Sequence, residues 1–162
     1  MLVGPAGSGK SAFARKHFRQ TEILSSDFFR GLVSDDEDNQ KASGAAFEVL
    51  YLTAEKRLAG RRLTAVDATN VRPDARRPLL AIARREGVPA VAVVFNLPLE
   101  VCLEWNRLRP GRIVDPSVIS RQHEQLELSL PNLERQGFHL IYVFSTPEEI
   151  DRATVEREPA RR

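Results

Sequence analysis

Short apolar runs alternate along the chain with longer stretches whose apolar residues recur every three or four positions. The short runs lie at 2–3, 23–24, 63–66, 90–95 and 140–144. Runs of that length bounded by polar residues predict buried strands. Helical periodicity occupies 10–18, 44–58, 74–85, 99–107, 116–136 and 147–157. Gly60, Gly87 and Gly137 each follow a helical stretch, where a left-handed C-terminal cap favours glycine. Pro73, Pro98, Pro116 and Pro147 fall near helix starts, where the missing N–H costs nothing. Strand and helix in alternation predict a parallel sheet covered on both faces. No repeat or internal boundary divides the chain, so residues 1–162 are expected to form one domain. The first run, Leu2–Val3, is short for a buried central strand. That suggests a domain excised from, or trimmed within, a larger protein. Residues 158–162 are expected to fray or lead into a further segment.

Composition narrows this picture without naming a partner. At 162 residues with 42% hydrophobic positions, the chain is long enough to bury a core. No apolar run reaches the ~20 residues that span a bilayer, so no membrane partner is expected. The N-terminus has neither the basic region nor the cleavage site of a signal peptide. The single cysteine, Cys102, has no internal partner, which favours a reducing, cytoplasmic setting. A net charge of +2 permits nucleic-acid binding but does not argue for it.

The first chemistry appears between the first strand and first helix. Gly4-Pro5-Ala6-Gly7-Ser8-Gly9-Lys10-Ser11 fits G-x-x-x-x-G-K-[ST] in full. Its glycines let backbone N–H groups turn inward around phosphate oxygens, and the following helix N-terminus adds positive potential. Lys10 would reach the β and γ phosphates of ATP or another nucleoside triphosphate, and the Ser11 hydroxyl would ligate Mg²⁺. The run 63–66 delivers Asp67 to the C-terminal edge of the sheet, where ligands of open α/β sheets bind. There it could complete the Mg²⁺ shell, or serve as a turn aspartate ahead of Pro73.

Asp27 and Arg30, in Ser25-Ser-Asp-Phe-Phe-Arg-Gly31, follow the second strand and so belong to the same edge. A hydroxyl that accepts a phosphoryl group needs a base for its proton, which a carboxylate supplies. An arginine one helical turn on could grip an anion of the acceptor with its two-pronged guanidinium. The other reading is a surface ion pair in a short turn. Between two later helices lies Asn106-Arg-Leu-Arg-Pro-Gly-Arg112. There Pro110-Gly111 makes a turn that could carry a hinged, arginine-bearing lid over the transferring phosphate.

Taken together, GPAGSGKS, SSDFFRG with LVSDD, VDATN followed by Arg76, VFNLPLEVC and NRLRPGR resemble the polynucleotide 5′-kinase module of bacterial end-healing polynucleotide kinase/phosphatase proteins. The resemblance runs from Gly4 to about Arg157. It implies an adenylate-kinase-like P-loop fold with a five-stranded parallel sheet and an arginine lid. It also implies transfer of the γ-phosphate of a nucleoside triphosphate to a 5′-hydroxyl of RNA or DNA, in nucleic-acid repair. By position, Lys10 and Ser11 would hold nucleotide and Mg²⁺, Asp27 would be the general base, and Arg30 would clamp the acceptor's first 3′-phosphate. Arg109 would meet the transferring phosphate. Arg112 would share that task or contact nucleotide. Phosphatase and ligase-like modules would follow in the full-length protein.

Other charges stay open at this stage. Ser34-Asp-Asp-Glu-Asp38 fails the calcium-loop pattern, since Gln40 stands where glycine is needed, and reads as a solvated loop. Arg72, Arg76 and Arg77 could line a groove for a nucleic-acid backbone, or simply face solvent. Trp105 and Phe28 or Phe29 could stack a base or join the core. Two other functions fit the same motifs: a small-molecule kinase acting on a sugar, nucleoside or antibiotic, and a non-catalytic nucleotide-gated module.

Overall fold

The structure is a computed structural model that describes residues 1–157. Its elements in chain order are β1 (Leu2–Val3), α1 (Lys10–His17), β2 (Ile23–Ser25), α2 (Ser26–Ser34), α3 (Ser43–Ala59), β3 (Ala65–Asp67), α4 (Pro73–Arg85), β4 (Val91–Phe95), α5 (Leu99–Leu108), α6 (Pro116–Ser129), β5 (Leu140–Phe144) and α7 (Pro147–Arg152). The alternation predicted from the apolar pattern is present throughout, and every strand pair is parallel.

Alternate residues of the central strands feed opposite faces, as a pleated strand requires. Leu2 and Phe95 join Phe13, Ala14, Leu97, Cys102, Ile119 and Ile150 in one apolar cluster. Val3, Ala92 and Val94 point the other way, onto Val71, Leu126 and Leu133. A third cluster, built from Leu24, Val66, Phe29, Ala46, Leu50, Ala54 and Leu79, seats α2, α3 and α4 on β2 and β3. Helices therefore cover both faces.

One continuous five-stranded sheet is not what forms. The strands make a three-stranded sheet in the order β1-β4-β5 and a two-stranded sheet of β2 and β3. The two sheets meet between β1 and the end of β3, where Gly4 N–H donates to Thr69 O (2.8 Å) and the Asn70 side chain donates to Leu2 O (2.8 Å). With only two residues in β1, and Asn70 in the left-handed region (φ 49°), one backbone bond and one side-chain bond stand at this seam in place of a strand ladder.

Four local expectations change. Residues 26–34 form a helix, started by the Ser25 hydroxyl, which accepts from Phe28 N–H. The predicted helix 116–136 stops at Ser129, because Pro131 cannot continue it, and 130–136 tightens into 3₁₀ turns. The last helix stops at Arg152 rather than 157. Beyond it Ala153 and Val155 pack on the core, and β-branched Thr154 and Val155 favour extended backbone. Gly87 and Gly137 do adopt positive φ, but at 60–61 the left-handed residue is Arg61 (φ 53°), not Gly60.

Candidate active site

The phosphate cradle rests on α5. Gly7 has φ 77°, and a Cβ there would come within 2.3 Å of Cys102 O. Gly9 has φ 87°, and its Cβ would meet the Trp105 ring at 2.9 Å. Both glycines are needed for left-handed backbone and for close approach to the helix below. Gly9 is also the N-cap of α1, whose first turn holds no acid. The orphan N–H groups there offer an anion site.

Lys10 is buried and folded back, donating to Pro5 O (2.7 Å). Burial pulls its pKa down to about 8, against the opposing pull of Asp67 and Asp27; Arg109 adds to the lowering. Asp67 ends β3 directly opposite Ser25 of β2 in the parallel register. It is 7% exposed and makes no hydrogen bond or ion pair with any described residue. A buried carboxylate with no side-chain partner among the described residues, lining the same cavity as Ser11, suits a hard divalent cation.

Asp27 lies in the first turn of α2, immediately after Ser25, so the register that presents Asp67 presents it too. Its Oδ1 accepts from Arg30 Nη2 and faces Arg112 Nη1 at 3.3 Å. Arg30, one turn further and buried, also donates from Nε to Glu37 O (2.8 Å). Arg112 Nε pairs with Asp38 Oδ1 at 2.7 Å. Arg109 is exposed on the same cavity and pairs with no described acid. All these groups line one cavity of about 900 Å³, which therefore joins the phosphate cradle to the Asp27 edge.

A model of the AAA domain family matches residues 1–130. The chain belongs to this AAA domain family. Among solved structures it is similar to a candidate kinase from Chloroflexus aurantiacus, with a TM-score of 0.63 and 18% identity over 91% of this chain and 85% of that one. It is also similar to shikimate kinase from Acinetobacter baumannii, solved with shikimate, with a TM-score of 0.54 and 19% identity over 93% and 85%. At that identity the likeness is one of fold, the α/β P-loop fold of these kinases. No curated protein sequence matches the chain.

Several expected site residues of this AAA domain take other positions. Ala6, Gly7, Gly9, Lys10 and Ser11 line the cavity, but Gly4, Pro5 and Ser8 do not. Pro5 has no N–H, the Gly4 N–H is used by Thr69, and Ser8 is fully buried with its hydroxyl on Pro5 O. These three shape the loop. Arg76 is not a groove residue: it is fully buried, donating to Asn70 O (2.6 Å) and Gln136 Oε1 (2.8 Å). Its position on the inner face of α4 decides this. Arg72 pairs with Asp74, so the groove of arginines after VDATN is not formed. Phe29 is core and Phe28 is exposed away from the cavity, whereas Trp105 lines it beneath Gly9. Arg112, expected to share the task of Arg109 or to contact nucleotide, pairs with Asp27 and Asp38, just after Gly111 (φ 87°).

Some residues of the site carry little sequence signal. Gln122 Oε1 accepts from Ala6 N–H (2.8 Å), which ties α6 to the cradle across 116 residues. Asn106 holds Val114 from both sides, Nδ2 to O at 2.8 Å and N–H to Oδ1 at 3.0 Å, and so anchors the connection 109–115. Arg15 lines the cavity one helical turn after Ser11, a position that i,i+4 spacing could have revealed.

Proposed function

We propose that the chain is a P-loop kinase that transfers the γ-phosphate of ATP or another nucleoside triphosphate to the 5′-hydroxyl end of RNA or DNA. The observation that carries this reading is the cavity that Lys10, Ser11 and Asp67 share with Asp27, Arg30, Arg109 and Arg112. Phosphoryl transfer needs positioning and charge stabilisation more than covalent chemistry, and these are the groups available for it.

In this reading the cradle N–H groups and Lys10 hold the triphosphate. A Mg²⁺ held by Ser11 and Asp67 would offset the charge on its β and γ oxygens. The acceptor's 5′-oxygen attacks the γ-phosphorus, the bond to the β–γ bridging oxygen breaks, and the diphosphate leaves. The hydroxyl proton passes to Asp27. Because Oδ1 already faces Arg30 and Arg112, the proton goes to Oδ2, which accepts from no described residue. Those two arginines also fix the orientation of the carboxylate, with Oδ1 held and Oδ2 left to the acceptor. Arg30 grips an anion of the acceptor. Arg109, which pairs with no described acid, acts as the lid arginine over the transferring phosphate.

Shikimate kinase, which binds a small acceptor in the same fold, favours a second reading, a small-molecule kinase. Incubation with labelled ATP, Mg²⁺ and either a 5′-hydroxyl oligonucleotide or a panel of small polyols and nucleosides separates the two. Label on the oligonucleotide end is the expected result; label only on small acceptors would reverse the proposal. Asp27→Asn, which keeps the shape and the acceptor oxygen, should lower kcat by about 10²–10⁴-fold with nucleotide affinity retained. A kcat within a few-fold of the parent would remove Asp27 from the role of base.

A further inference from the structure

Two arginines converge on one oxygen of Asp27 from different parts of the chain. Arg30 comes from α2 and is almost fully buried, with its side chain 7% exposed. Arg112 comes from the 109–115 connection on the facing wall and is 26% exposed. An acceptor entering from solvent therefore meets Arg112 before Arg30. Asp38, on the segment that follows α2, holds Arg112 through its Nε (2.7 Å). Arg109 behaves differently: it pairs with no described acid, and its charge acts on Lys10. The turn at Pro110-Gly111 thus separates Arg109, which no described acid holds, from Arg112, which Asp27 and Asp38 hold.

We infer that Arg112 is an acceptor-binding residue, positioned by Asp38, and that it takes a second anionic group of the acceptor, outside the one held by Arg30. The favoured acceptor then carries at least two anionic groups beside its reacting hydroxyl, as a strand end does and a nucleoside 3′-monophosphate does not. The acceptor's anion replaces the Asp38 carboxylate on Arg112. Asp38 is more than half exposed, so this exchange of one anion for another costs little. The guanidinium fork suits a phosphate, which lysine would meet only as a point charge. This inference rests on the proposed kinase reading.

The test uses the purified protein with ATP and Mg²⁺, and two acceptors: a nucleoside 3′-monophosphate and a dinucleotide bearing a 3′-phosphate. Arg112→Ala should raise KM for the dinucleotide about tenfold while leaving KM for ATP and for the monophosphate within about twofold. Arg112→Lys should recover part of the loss, and Asp38→Asn, which removes the carboxylate that the acceptor must displace, should lower KM for the dinucleotide. An increase confined to ATP, or an equal increase for both acceptors, would overturn the assignment. If the parent protein phosphorylates neither acceptor, the kinase reading fails separately. Calorimetric binding of the same two compounds then judges Arg112: selective loss of dinucleotide affinity supports it, and no selective loss overturns it.

Discussion

Lys10 shows at the scale of one residue how function and stability oppose each other. A buried ammonium with its pKa drawn down to about 8 disfavours the folded state. Below pH 8 it is protonated folded and unfolded, and the full cost is present. Between about 8 and the ordinary 10.5 the unfolded chain holds this proton more tightly, so stability rises with pH through that window. Lys10→Met should therefore stabilise the ligand-free protein at pH 7 by about 1–3 kcal/mol while abolishing phosphoryl transfer. Urea unfolding at pH 7 and pH 9.5 checks this, and the gap between variant and parent should narrow at the higher pH. A gap that widens would mean that burial is not what perturbs the lysine. Cys102, on the helix beneath the cradle, has its thiol pushed up to about 11 by burial, so it stays protonated and acts as packing.

At the scale of elements, the site depends on what each helix presents and what fixes each connection. Helix α2 turns Asp27 and Arg30 toward the cavity and Phe29 into the core, with the Ser25 cap setting the phase. Helix α5 supplies Cys102, Trp105 and Asn106 at spacings of three and four, one face that carries both the cradle and the base of the arginine connection. Asn106 is 2% exposed, and its two bonds to Val114 hold a segment with few other anchors. Asn106→Ala should destabilise by about 1–3 kcal/mol and release Arg109 and Arg112 together. Faster amide exchange confined to 109–114, with a lower kcat, is the expected signature. Unchanged exchange there would show that the connection is held by something else.

For the whole molecule, the important joint is the seam between the two sheets. β1, β4 and β5 carry the cradle, β2 and β3 carry Asp27 and Asp67, and the cavity spans both. Their alignment rests on Gly4 to Thr69 and on Asn70, buried and left-handed, reaching Leu2 O. Asn70→Ala should cost about 2–3 kcal/mol through a lost buried hydrogen bond and a disfavoured backbone. Bound nucleotide should restore part of this, since a ligand touching both sheets stabilises in proportion to the logarithm of its concentration over Kd. Thermal melts with and without nucleotide test it. A nucleotide affinity in the variant equal to the parent's would indicate that the seam does not couple the two halves.

Periodicity and punctuation in the sequence were enough to determine the alternating elements, the parallel pairing and the cradle. These depend on neighbours close in the chain: an apolar run followed by Gly7, Gly9 and Lys10 folds as a strand, loop and helix almost wherever it occurs. Asp67 and Asp27 were legible for a related reason, because strand ends in a parallel sheet share one edge. What only the tertiary structure decided depends on distant pairings. Nothing near Arg76 in the sequence says that Gln136 will receive it in the core, or that Arg112 will pair with Asp38. Gln122 meeting Ala6, and Asn70 replacing a backbone ladder at the seam, are likewise contacts across 116 and 68 residues. Local pattern sets which way a strand or helix forms, but the direction of a charged side chain is set by which partner can compensate its desolvation, and that partner is chosen by the packed fold.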